Sequence, residues 1–390
     1  MKKRKIMRIT TVPVSLLILL KEQLKFMNQH YEVIGVSSDG PELSMVAEQE
    51  GIRTIPVSMT RTISPLQDLN SLWQLIQLFR KEKPFIVHTH TPKAGIVGMV
   101  AAKIAGVPNR LHTVAGLPLL EATGRKRTVL NFVEKMTYSC ATHVYPNSKG
   151  LHNIILKNKY CAADKLSVLA NGSSNGINTD HFDPAKYDAA AKAELMAELG
   201  IKPSDFVFVF VGRLVGDKGI NELVEAFLQV KMLTANVKLL LVGRVEAHLD
   251  PLKPETRSII ERDTDIIAVG GQRDVRPYLA ISNALAFPSY REGFPNVVLQ
   301  AGAMGLPSIV SNINGCNEII IDRENGIITP VKDATALTAA MLEVVRDQNL
   351  YSSMAHKARE MIITRYNQQV VWSAILNEYE KLEGDVQKVS

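Results

Sequence analysis

The sequence predicts an α/β protein of two doubly wound, mostly parallel sheets facing each other across a cleft. Three observations support this reading. Short β-rich runs alternate with helical patterns through both halves of the chain, the order that parallel strands joined by crossover helices require. A stretch dense in turn formers, Ala170-Asn-Gly-Ser-Ser-Asn-Gly-Ile-Asn-Thr-Asp-His-Phe-Asp-Pro184, separates the halves. The length of 390 residues suits two or three domains at roughly 150 residues each.

In the first half, strands are expected at Met7–Thr11, Tyr31–Ser37, Phe85–Thr89, Arg110–Val114, His143–Pro146 and Leu166–Leu169. Helical spacing marks Leu69–Arg80 and Ala94–Ala105, the latter stopped by Gly106 with Pro108 beyond. The start, Lys2-Lys-Arg-Lys5 followed by the apolar run Val12–Leu20, superficially resembles a signal peptide. The run is short, Lys21-Glu22 follows it and no small-residue cleavage site appears, so it reads as folded protein. The segment Leu16–Met27 is expected as one helix, apolar on more than one face. A buried core helix is one account of it, and a lipid-facing helix is another.

In the second half, strands are expected at Phe206–Val211, Val237–Val242, Ile266–Val269, Ala284–Phe287, Ser308–Val310 and Gly326–Thr329, with helices such as Ile220–Leu228 and Ala334–Arg346. The expected domains are residues 1–185 and 186–365, with a last helix, about 366–390, packing back on the first. Ligands of such sheets bind outside the carboxyl ends of the strands.

Composition narrows the function classes. With 46% hydrophobic and 22% charged residues, the chain is an ordinary globular protein rather than a disordered one. Cys140, Cys161 and Cys316 form no close-set metal or redox pair, and their odd number gives no disulfide framework. No apolar run approaches the roughly 20 residues that span a bilayer. A cytoplasmic protein, soluble or peripheral on the inner membrane face, is expected. Charge is uneven: through Ala185 there are 23 Lys and Arg against 13 Asp and Glu, or +10, whereas the remainder sums to −4. Arg125-Lys126-Arg127, near Lys135 and the apolar Leu117-Pro-Leu-Leu120, reads either as a surface for anionic lipid head groups or as a solvated basic loop. Nucleic acid is not an expected partner, because no basic stripe interleaved with aromatics occurs.

Two segments bring chemistry together. Phe206-Val-Phe-Val-Phe-Val-Gly-Arg-Leu-Val-Gly-Asp-Lys-Gly219 is a buried strand running into a glycine-punctuated loop with Arg213 and Lys218. An Arg fork and a Lys point charge at a strand end suit a diphosphate, each charge-assisted bond contributing roughly 1.5–3 kcal/mol. Alone, they would read as surface cations at a turn. The run Ser289-Tyr-Arg-Glu-Gly-Phe-Pro-Asn296 puts the Glu292 carboxylate just before a helix that Pro295 is expected to open, with Gln300 about two turns along. Backbone N–H groups at that helix start favour an anion.

Gly212-Arg213 with Lys218-Gly219, followed by Glu292-Gly-Phe-Pro295, resembles the retaining glycosyltransferases of family 4, which have the GT-B fold. The resemblance spans nearly the whole chain through His88-Thr-His-Thr-Pro-Lys-Ala-Gly95, His112-Thr-Val-Ala-Gly-Leu-Pro118, Pro146-Asn-Ser148 and Asn171-Gly-Ser-Ser-Asn-Gly-Ile177. It is most similar to bacterial enzymes that extend lipid-linked oligosaccharides for capsule, O-antigen or glycoprotein assembly, such as N-acetylgalactosaminyltransferases acting on undecaprenyl diphosphate-linked sugars. The resemblance implies transfer of an N-acetylhexosamine or hexose from a UDP-sugar to a lipid-linked saccharide. It implies that Arg213 and Lys218 hold the donor diphosphate and stabilise the leaving nucleotide. Glu292 would contact sugar hydroxyls, helped by the backbone of Gly293, Phe294, Pro295 and Asn296 beside Gly212. His112 would approach the donor sugar and phosphate, though by itself it reads as a satisfied histidine at a strand end. Reaction on one face, the leaving phosphate oxygen helping deprotonate the acceptor, needs no glycosidase-like carboxylate pair.

The chain departs from the family pattern twice. Gln300 stands where relatives have a second Glu that binds ribose, and an amide still bonds hydroxyls but lacks charge. Thr11-Val-Pro-Val-Ser15 stands where many relatives have a glycine-rich loop, which makes close backbone approach to a ligand harder. His88 and His90 share a face on a continuing strand, and at most one is given a functional role. For Lys93 two readings stand, an acceptor-phosphate ligand and a solvated lysine; with Arg125, Lys126 and Arg127 it makes up the acceptor-side set. Asp263-Thr-Asp265 matches a metal-binding pattern of another glycosyltransferase fold, but it precedes its strand, the wrong end for this site. No metal and no other cofactor is expected. The competing functions are a nucleotide-sugar 2-epimerase and a non-catalytic binding subunit of a polysaccharide assembly complex. A nicotinamide dehydrogenase is disfavoured, since no Gly-x-Gly-x-x-Gly follows a strand.

Overall fold

The computed structural model describes residues 3–62, 64–120, 122–246 and 250–389, so Lys2 of the basic start lies outside the described residues. The chain forms two compact units, Met1–Gly176 with Gln368–Ser390, and Ile177–Asn367. The first division falls earlier than the 185/186 boundary read from the sequence. Residues after Gly176 are tied into the second unit: Ile177 N–H donates to the Tyr366 carbonyl (2.8 Å), and Arg359 Nη1 donates to that of Phe182 (2.7 Å).

Unit 1 contains β1 (Lys5–Ile9), β2 (Glu32–Ser37), β3 (Arg53–Pro56), β4 (Ile86–Thr89), β5 (Asn109–Val114) and β6 (His143–Pro146). All pairings are parallel, in the order β3-β2-β1-β4-β5-β6. Unit 2 contains β7 (Phe206–Val211), β8 (Val237–Val242), β9 (Ile266–Gly270), β10 (Ala284–Phe287), β11 (Ser308–Ser311) and β12 (Gly326–Thr329). Its order, β12-β11-β10-β7-β8-β9, is again wholly parallel and repeats the same winding. The winding reverses between β1 and β4 in one unit and between β7 and β10 in the other, and such switch points open a crevice at the carboxyl edge. The central strand β7 reads Phe-Val-Phe-Val-Phe-Val with its middle residues buried, the continuous apolar run of a strand covered on both faces.

Three expectations needed correction. Leu166–Leu169 is not a strand; only Leu166 bridges Val144. The strand β3 was missed because it is a short edge with partly exposed side chains and no apolar alternation. The single helix expected over Leu16–Met27 is two helices, Pro13–Leu19 and Gln23–His30, broken where Glu22 adopts φ +64°. The Glu50 carboxylate accepts from the Glu22 and Lys25 N–H groups (2.7 and 2.9 Å) and so caps the second helix from a distant element. Leu16, Leu20 and Leu24 are fully buried, which makes this segment core rather than lipid-facing. The last helix, Gln368–Val389, places Val371, Trp372, Ile375 and Tyr379 in the unit 1 core.

Candidate active site

At the carboxyl edge of the unit 2 sheet, the loop after β7 meets the loop after β10. Lys218 Nζ donates to Glu292 Oε1, and Ser289 Oγ donates to the same oxygen at 3.0 Å. Both members of the ion pair are largely but not wholly buried, with 15% and 18% of their side chains exposed. The pair depends on the residue after Lys218. Gly219 has φ +71°, and a Cβ there would stand 2.1 Å from the Pro288 carbonyl oxygen, so only glycine lets the loops come this close. Ser289 escaped the sequence reading, as did Asn314. The latter's Nδ2 donates to the Gly293 carbonyl at 2.6 Å and anchors the loop behind Glu292. Asn314 sits in the turn-forming Asn312-Ile-Asn-Gly315, the one local signal that could have pointed to it.

The other residues expected on this edge are near but not all in contact. Gly212 directly follows β7, its N–H bonded to the Val242 carbonyl (3.0 Å). Arg213 turns to Glu246 at 3.7 Å and is about half exposed. Together with Asp217, Tyr290 and Arg291 it lines an open cavity of about 630 Å³. Phe294 packs on Tyr366 with ring centroids 5.4 Å apart, and Pro295 is buried. Helix Asn296–Ala303 begins one residue later than expected, with Pro295 as its cap. Gln300, partly buried, is the fifth residue of this helix, about one turn in and not the two turns expected, a distance that separates it from Glu292 instead.

At the carboxyl edge of the unit 1 sheet, register and alternation sort the histidines. Arg8 pairs with His88, and Thr89 with His112, so Arg8 and His88 share one face while Thr89 and His112 share the other. His112 Nδ1 bonds Thr89 Oγ1 at 2.7 Å. Its ring lies against Gly95, where a Cβ would stand 2.5 Å from Cε1. Burial pushes the His112 imidazole down to about 4, opposed by a hydrogen bond to the Thr89 backbone, so the ring is neutral at ordinary pH. His88 bonds Tyr379 (2.6 Å) and Thr113 (2.8 Å), and its ring lies 4.2 Å from that of His90. Burial, with Arg8 close by, holds both of these histidines well below the usual imidazole range.

Lys93 is not a solvated lysine: its Nζ contacts both Asp68 oxygens, at 2.6 and 2.5 Å, and only 11% of its side chain is exposed. Arg125, Lys126 and Arg127 are exposed in the first turn of helix Gly124–Cys140. Of the leucines in the apolar patch expected beside them, Leu117 and Leu119 are buried and Leu120 is exposed. Val129 and Phe132, 50% and 64% exposed on that helix, supply the apolar surface instead. Asp263 and Asp265 pair with Lys231 and Lys238 (2.7 and 2.6 Å) ahead of β9. Among the described residues, no three His, Cys, Asp or Glu side chains gather as a metal site would need, and no helix is long and apolar enough to cross a membrane.

Comparison with known proteins fits this geometry. Residues 191–361 match the family model "Glycosyl transferases group 1", and residues 15–148 match "Glycosyl transferase 4-like". The chain is 33% identical over 380 residues to the capsular polysaccharide biosynthesis glycosyltransferase CapM of Staphylococcus aureus, covering 97% of each. It is 32% identical over 314 residues to the Escherichia coli UDP-Gal:alpha-D-GlcNAc-diphosphoundecaprenol alpha-1,3-galactosyltransferase, covering 80% of this chain and 79% of the relative. Its fold matches Anabaena HepE, crystallised with UDP and glucose, at a TM-score of 0.78 and 18% identity over 97% of this chain and 100% of that one. The chain belongs to the family 4, or group 1, glycosyltransferases of GT-B fold.

Proposed function

We propose that the protein transfers a hexose or N-acetylhexosamine from a UDP-sugar to a lipid-linked saccharide, with retention at the anomeric carbon. The observation that carries this reading is the Lys218–Glu292 pair, held at the unit 2 carboxyl edge by the Gly219 close approach. Lys218 exchanges its carboxylate for the donor diphosphate, and Arg213, about half exposed, swings from Glu246 to the same group. Two cations placed where charge develops on the leaving nucleotide stabilise the transition state without a metal. Glu292, released from Lys218, accepts from sugar hydroxyls, supported by the backbone of Gly293, Phe294, Pro295 and Asn296 beside Gly212. Gln300 bonds the ribose through its amide. The neutral His112, its Nδ1 held by Thr89, donates or accepts one hydrogen bond through Nε2 at the donor sugar and phosphate.

The acceptor reading draws on the relatives' named substrates, which include a diphosphoundecaprenol-linked sugar. The capsular relative likewise supports a place in surface polysaccharide synthesis. Arg125, Lys126 and Arg127, with Val129 and Phe132 exposed along the same helix, form a surface for the anionic inner face of the membrane. Lys93 reaches an acceptor phosphate only by leaving Asp68.

The test is nucleotide release by the purified protein against a panel of UDP- and GDP-sugars, with and without bacterial lipid extract and with excess EDTA. Release from one UDP-sugar that needs the extract and persists in EDTA is expected. Acceptor-independent turnover would move the reading to an epimerase, and silence across the panel to a binding subunit.

A further inference from the structure

The unit 1 sheet holds a second polar cluster at its carboxyl edge that the transfer reading leaves unused. Arg8, on β1, is wholly buried, yet it pairs with no carboxylate among the described residues. Its Nε donates to His90 Nε2 at 2.9 Å and its Nη2 to Gln23 Oε1, both neutral partners. The first bond fixes the state of His90. A ring nitrogen that accepts from a guanidinium N–H carries no proton, so the single proton of this neutral imidazole sits on Nδ1.

That Nδ1–H finds no partner, and neither do the buried Arg8 Nη1, Ser174 Oγ and Asn147 Oδ1. All four residues line one cavity of about 20 Å³. The Tyr379 hydroxyl also lies against the guanidinium, and the cavity is left facing Arg8 Nη1, the His90 Nδ1–H and the Ser174 hydroxyl. The Asn147 amide presents oxygen, or nitrogen after a half-turn. A water molecule accepts two hydrogen bonds and leaves the buried charge unanswered, and an unpaired buried cation is costly. An oxyanion oxygen accepts three and cancels the charge.

We infer that this cavity is an oxyanion-binding site, which takes a terminal oxygen of a phosphate or carboxylate on a small ligand. The space admits roughly one oxygen-sized group, so the rest of the ligand stays outside. The inference does not rest on the donor reading, since every residue in it belongs to unit 1.

Thermal unfolding of the full chain at constant ionic strength tests it, with inorganic phosphate, methyl phosphate, sodium glucuronate and chloride as probes. The background is an Arg213→Ala/Lys218→Ala variant, so that the unit 2 cations bind none of them. A saturable rise in Tm is expected with at least one oxyanion and not with chloride. A response to glucuronate alone assigns the source as a carboxylate. A response to both phosphates assigns it as a phosphoryl group on a ligand, and a response to inorganic phosphate alone as the free ion. Added to that background, Ser174→Ala should raise the half-saturating concentration about tenfold, one lost charge-assisted bond, and Arg8→Met should abolish the rise. If Arg8→Met does not fold, Ser174→Val, which fills the cavity, should abolish it instead. No saturable rise with any oxyanion, or a rise unchanged by Ser174→Val, would overturn the inference and leave the cavity to water.

Discussion

In unit 2 the charges at the carboxyl edge are paired and reachable: Lys218 with Glu292, each somewhat exposed, and Arg213 with Glu246 beside an open cavity. In unit 1 the charge at the equivalent edge is buried and, among the described residues, unpaired: three neutral imidazoles gather with a buried guanidinium, beside a cavity of about 20 Å³. Both sheets share one winding, so winding does not decide between them. The side chains at the strand ends and the glycines that let loops approach do, which is why function is argued from sites and not from folds.

The largest effect expected on that contrast comes from the reachable edge. Lys218→Ala should lower turnover by about 10²–10³-fold, the loss typical of a removed electrostatic stabiliser, with the folded state retained by circular dichroism. A variant with wild-type turnover would remove Lys218 from the chemistry. Gly219→Ala should act through structure, because its Cβ would stand 2.1 Å from the Pro288 oxygen at a left-handed φ. A destabilisation of about 2 kcal/mol is expected in denaturant titration, along with reduced turnover. Unchanged stability would mean that the two loops do not need each other.

The buried imidazoles of unit 1 should show themselves in pH dependence. The ordinary imidazole value is 6.5 and burial lowers His112 to about 4. Between those values the unfolded chain binds a proton that the folded chain refuses. Stability contributed by a neutral buried His112 is therefore complete above about pH 6.5 and is lost as pH falls towards 4, on the order of 3 kcal/mol. His88 and His90 act in the same direction. Unfolding midpoints measured from pH 7.5 to 4.5 should fall, and His112→Gln should flatten the slope. An unchanged slope would show the ring to be open to solvent.

The smallest effect belongs to the surface helix. Changing Arg125, Lys126 and Arg127 together to Ser should weaken sedimentation with anionic vesicles by about 1 kcal/mol per charge at low salt, and less at physiological salt. Acceptor-dependent turnover in detergent should be unaffected. Equal vesicle binding by both proteins would remove the membrane role.

Much of this was legible in the sequence, for physical reasons that also mark where legibility stops. Central strands such as β7 announce themselves because burial on both faces demands an unbroken apolar run. The edge strand β3 is half exposed and gives no such signal. The break at Glu22 is set by a cap from Glu50, far along the chain, and local periodicity cannot foresee it. At the site, Lys218 and Glu292 could be named because each follows a strand at the binding end. Their ion pair, the turn of Arg213 towards Glu246, and the tie of Lys93 to Asp68 are tertiary events between separate elements. The apolar surface beside Arg125 is not foreshadowed by the local run Leu117 to Leu120, because tertiary packing buries Leu117 and Leu119 while the helical face with Val129 and Phe132 stays exposed.

The central claim is that the Lys218–Glu292 edge of unit 2 binds the nucleotide-sugar. Calorimetric titration of UDP into the full-length protein and its Lys218→Ala variant tests this most directly. Saturable binding by the wild type and at least about tenfold weaker binding by the variant, one charge-assisted bond to the diphosphate, is the expected result. Equal affinity in the two proteins would contradict it and place the nucleotide elsewhere.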